Sequence, residues 1–82
     1  MMTMTKAQEA FDIFAKSEAG IHALDLGDRM KSKLASPNRI CQILISFFED
    51  WFTYYHPVGL DVTFESINEQ ITAIFNERLE ND

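Results

Sequence analysis

The chain has one cysteine, three glycines and two prolines among its 82 residues, and each scarcity removes a class of protein. Cys41 alone cannot close an intramolecular disulfide, so a small fold without staples is expected in a reducing compartment, the cytoplasm. Gly20, Gly27 and Gly59 are isolated from one another. They build neither a phosphate-cradling loop, nor a dinucleotide fingerprint, nor a strained nucleophile turn. Apart from methionine, the soft metal ligands are His22, His56 and Cys41, on separate segments with no spacing that pairs two on one helical face. No catalytic set, cofactor site or metal site is therefore expected, and the reading is non-enzymatic.

Long apolar runs are also missing. The greasiest stretch, residues 40–55, is interrupted by Gln42, Ser46, Glu49, Asp50 and Thr53. It falls short of the ~20 apolar residues that a membrane span requires. The start, Met1-Met2-Thr3-Met4-Thr5-Lys6, lacks the basic opening and apolar core of a secretory leader. No membrane association is expected.

Basic residues are scarce in the second half. Residues 37–82 hold only Arg39 and Arg78 against eight acids, which accounts for the whole net charge of −6, while the charges of residues 1–36 cancel. Such a balance disfavours phosphate backbones and suits either solubility alone or a basic protein partner.

What is present is helical pattern. At 46% hydrophobic and 24% charged residues, the composition is globular, and the length allows one domain with one core. Thr5-x-x-Gln8 reads as a capping box that opens a first helix with Ala7, Ala10, Phe11 and Phe14 on its inner stripe. Gly20 reads as its left-handed stop, with Ile21 folding back onto Ala15. A short second helix is expected from Asp25, with Leu26, Met30 and Leu34 turned inward and Gly27 costing about 1 kcal/mol. Residues 21–24 read as a linker or as a continuation of the first helix. An unbroken helix would align Glu18, His22 and Asp25, whereas the break at Gly20 scatters them.

Ser36-Pro37 caps and opens a third helix that runs to about Tyr55. Arg39, Gln42, Ser46, Glu49 or Asp50, and Thr53 form one narrow polar stripe. The remainder of its girth is apolar, including six of the chain's ten aromatic side chains: Phe47, Phe48, Trp51, Phe52, Tyr54 and Tyr55. An amphipathic helix needs an apolar arc only a little over 100° wide, and this one has about twice that. His56-Pro57-Val58-Gly59 then turns the chain. Leu60 and Val62 alternate over too short a run for a strand. Thr63 caps a fourth helix with Phe64, Ile67, Ile71, Ile74, Phe75 and Leu79 inward.

The expected fold is an all-α bundle of three to four helices, single-domain over residues 1–82, with residues 37–55 as its central hydrophobic helix. The expected activity is binding another protein, as a small regulator, adaptor or inhibitor. Its candidate contact residues are Phe48, Trp51, Phe52, Tyr54 and Tyr55, together with Glu65 and Glu69 on the outer face of the fourth helix. A self-complementary aromatic patch would give a C2 homodimer. The alternatives are an acidic mimic of nucleic acid and a small helical DNA-binding regulator. The second rests on Arg29, Lys31, Lys33 and Arg39, but its reading helix would carry Ile43, Leu44, Phe47 and Phe48 in place of base-reading groups. The size and charge also suit an accessory inhibitor of the phage type, which composition does not show.

Overall fold

The computed structural model describes residues 5–57 and 59–80; Met1–Met4 and Val58 of the expected turn lie outside the described residues. Four helices follow in order: α1 (Lys6–Lys16), α2 (Glu18–Ser32), α3 (Pro37–Tyr55) and α4 (Phe64–Glu80). No strand occurs among the described residues, and the fold is an all-α bundle.

The helix starts follow from local hydrogen bonding. The Gln8 amide donates to Thr5 Oγ1 at 3.1 Å, that of Arg39 to Ser36 Oγ at 3.3 Å, and that of Ser66 to Thr63 Oγ1 at 3.2 Å. Each hydroxyl satisfies one amide that the first helical turn leaves without a carbonyl. The reciprocal half of the first capping box is absent, because Gln8 Nε2 donates to Asp12 Oδ1 at 3.0 Å instead.

The α1–α2 junction corrects the sequence reading. The first helix ends at Ser17, three residues before Gly20, and Ser17 serves as both the end of α1 and the cap of α2. Its Oγ donates to the Phe14 carbonyl at 2.6 Å and accepts from the Gly20 amide at 3.0 Å. Gly20 is a helical residue of α2, not a left-handed stop. A Cβ there would lie 1.6 Å from the Phe14 carbonyl oxygen, so glycine is needed for close approach of α2 to the end of α1. Ile21 points to solvent and does not fold back on Ala15.

The second helix also presents a different face from the one expected. Asp25 lies in mid-helix, paired with Arg29 at 3.0 Å, and does not cap it. Gly20, Ala23 and Gly27 are the buried positions, a row of small residues that lets α2 lie close to its neighbours. A Cβ on Gly27 would stand 3.1 Å from Leu44 Cδ1 of α3. Leu34, expected inward, is 91% exposed in a left-handed conformation (φ 63°). The Ala35 amide donates to the Met30 carbonyl and the Leu34 amide to that of Lys31, which is the Schellman closure that glycine usually makes.

The third helix packs against all three others, whereas α2 and α4 do not pack on one another. That is how an over-wide apolar arc is covered in so small a chain. Phe14 of α1 sits at the centre, its ring 5.3 Å from Phe48, 5.2 Å from Trp51 and 6.4 Å from Phe75. Phe11 meets Phe75 edge-on at 5.4 Å, and Phe48 stacks on Phe52 at 5.7 Å. Ile67, Ile71, Phe75 and Leu79 of α4 and Leu60 of the connecting segment complete this core.

Candidate functional site

The seven residues singled out in the sequence divide between interior and surface. Phe48, Trp51 and Phe52 are 0%, 6% and 2% exposed, and their rings belong to the aromatic core. Tyr54 and Tyr55 are 81% and 64% exposed. Glu65 and Glu69 are exposed on α4, one helical turn apart. Helix geometry accounts for the exposure of Tyr54, while Tyr55 shares the buried side and is exposed as the last residue of α3. Positions 48, 51, 52 and 55 share one side of α3, and position 54 falls on the other.

Tyr54 and Tyr55 meet edge-on at 5.0 Å in the last turn of α3, and the Tyr55 ring lies 6.3 Å from that of Trp51. Below them opens a groove of about 360 Å³ lined by Ile13, Glu18, Ala19, Trp51, Tyr55 and Pro57. Its walls are mostly apolar and come from both sides of the Ser17 junction, which therefore shapes the cleft. His56 ends α3 at φ 44°, its amide donating to the Phe52 carbonyl at 2.9 Å and its ring 6.1 Å from that of Phe52.

A second groove of about 280 Å³ runs between the C-terminal half of α3 and the start of α4. Phe52, Val62 and Phe64 supply its apolar lining, and Glu49 and Glu65 bring a carboxylate from each helix. Neither carboxylate takes part in an ion pair among the described residues.

Chemistry finds little to work with. Cys41 is buried, its Sγ 3.9 Å from the Thr72 carbonyl, and burial pushes the thiol's pKa up, away from reactive thiolate character. The unbroken α2 does align Glu18, His22 and Asp25 on one exposed face, contrary to the expected scattering. The Asp25 carboxylate is held by Arg29, and no group of three His, Cys, Asp or Glu side chains suited to a metal ion occurs among the described residues. No helix among them is long and apolar enough to cross a membrane.

Of the basic set behind the DNA-binding alternative, Lys33 and Arg39 are exposed, and Lys31 and Arg29 have partners. Lys31 Nζ donates to the Leu79 carbonyl, Arg29 pairs with Asp25, and α3 turns Ile40, Cys41 and Leu44 into the core. No family model, no curated protein and no solved structure matches this chain.

Proposed function

We propose that the chain is a non-enzymatic protein-binding module, acting as a small cytoplasmic regulator, adaptor or inhibitor through the C-terminal end of α3. The observation that carries this reading is the exposed Tyr54–Tyr55 pair beside an apolar groove with Trp51 in its wall. Tyrosines with an open face and a polar tip are frequent energetic centres of protein interfaces, and a concave apolar wall gives a partner side chain somewhere to go. Glu18 on this groove and Asp50 one turn back from Tyr54 favour a partner with basic residues at the rim of its contact surface.

The test is capture of partners from the native cell with the wild-type chain and with the Tyr54→Ala/Tyr55→Ala variant. Loss of a partner in the variant, with the fold retained by circular dichroism, supports the reading. A partner held equally by both proteins sinks it. A partner lost only on Glu65→Gln/Glu69→Gln substitution, with steep salt dependence, would instead indicate mimicry of a nucleic acid.

A further inference from the structure

Along the sequence, charge falls in blocks on either side of the middle of α3, and the last turn of α4, which Lys31 joins, adds Glu77 and Glu80 at the basic end. Residues 29–48 contain four bases and no acid, and residues 49–69 contain five acids and no base. Helix α3 begins in the basic block and ends in the acidic one. At 1.5 Å per residue, its N-terminus and the second groove stand roughly 20 Å apart.

The basic end carries a protruding apolar side chain. Leu34 is the most exposed large hydrophobic residue described, and it occupies a left-handed position that a bulky side chain seldom adopts. Lys33 and Arg39, both exposed, flank it along the chain, and neither is in an ion pair among the described residues. Lys31 is engaged at the end of α4 and is not part of this tip. The acidic end carries the complementary shape: the 280 Å³ groove with Phe52, Val62 and Phe64 in its lining and Glu49 and Glu65 on the two helices beside it.

We propose that these two ends join between copies of this chain. Leu34 of one copy enters the Phe52–Phe64 groove of the next, while Lys33 and Arg39 meet Glu49 and Glu65. The two surfaces lie at opposite ends of α3, so they cannot meet within one molecule, and the contact is head-to-tail. It leaves a tip and a groove unsatisfied after each addition, so it yields chains or rings instead of a closed pair. A C2 dimer through the acidic end would set the carboxylates of the two copies against each other, which this arrangement avoids. The inference is independent of the partner-binding surface at Tyr54 and Tyr55.

Sedimentation velocity of the pure full-length chain tests it. Average mass should rise with protein concentration at low salt. It should fall as ionic strength goes from about 10 mM to 150 mM, where screening shortens from roughly 30 to 8 Å. A tip variant, Lys33→Glu/Arg39→Glu, and a groove variant, Glu49→Lys/Glu65→Lys, should each self-associate at least about tenfold more weakly. Leu34→Gly, which suits the backbone at that position, should weaken association while leaving the helical content intact. In a mixture, the native tip of the groove variant meets the native groove of the tip variant, and the reversed tip meets the reversed groove with opposite charges again. Both contacts are attractive, so the equimolar mixture should recover the concentration-dependent association that neither variant shows alone. A monomer at all concentrations in low salt overturns the proposal, and so does a dimer that persists unchanged in both variants.

Discussion

The ammonium group of Lys31 donates to the carbonyl oxygen of Leu79 across 2.6 Å, joining the last turn of α2 to the last turn of α4. These two helices do not otherwise pack on each other. The cation meets a carbonyl that the end of α4 leaves without an amide, where the helix dipole is negative.

Replacing Lys31 with Met keeps the stem and removes the charged donor. The expected loss is about 0.5–1.5 kcal/mol, below the usual range for a charged hydrogen bond because the site is partly open to water. Lys33→Met, on the exposed neighbour two residues away, should change stability by less than about 0.5 kcal/mol. Urea unfolding of the two variants beside the wild type measures the difference.

The two buried glycines of α2 should respond unequally to alanine. At Gly20 the new Cβ would stand 1.6 Å from backbone that cannot yield locally, so Gly20→Ala should force α1 and α2 apart and cost about 2 kcal/mol or more. At Gly27 the nearest atoms belong to the flexible end of Leu44. The helix gains about 1 kcal/mol from alanine there, so Gly27→Ala should stay within about 1 kcal/mol of wild type. Equal melting temperatures for the two variants would contradict this account of the junction.

Leu34→Gly should raise stability by about 0.5–1 kcal/mol, since a leucine at φ 63° crowds its own Cβ against the backbone and glycine does not. The gain is reduced by glycine's greater freedom in the unfolded chain. Thermal unfolding gives the sign directly, and a destabilised variant would mean that the Leu34 side chain makes contacts the folded chain depends on.

The buried thiol supplies a pH signature. Burial raises the Cys41 pKa in the folded state, so the native form keeps its proton where the unfolded chain releases it. Its contribution is complete below the unfolded thiol pKa of about 8.5 and is lost as pH rises through the higher folded value. Stability should therefore decline above about pH 8.5 in the wild type and decline less in Cys41→Ala. Aromatic disulfide reagents should label Cys41 slowly in the native protein and quickly in urea.

Much of the molecule was legible before any coordinates. Thr5, Ser36-Pro37 and Thr63 mark helix starts because a cap is a hydrogen bond between residues two or three apart, and sequence contains both partners. The inner stripes of α1 and α4 were legible for a similar reason: one periodicity, one apolar face. The Ser17 cap followed by Glu18 was a signal of the same kind, overshadowed by Gly20 and its usual role at helix ends.

The sequence alone determined the helical class, the length and oiliness of α3, and the acid excess of residues 37–82. Tertiary structure decided which of α3's rings became interior, why Gly20 and Gly27 are glycines, and that Leu34 faces water. Burial is settled by which distant surfaces come to lie alongside. Phe14, more than thirty residues before Phe48 and Trp51, encloses them, while Tyr54 is left exposed by the described residues. A cap needs only its own turn of chain, but a buried face needs a neighbour that the local pattern does not name.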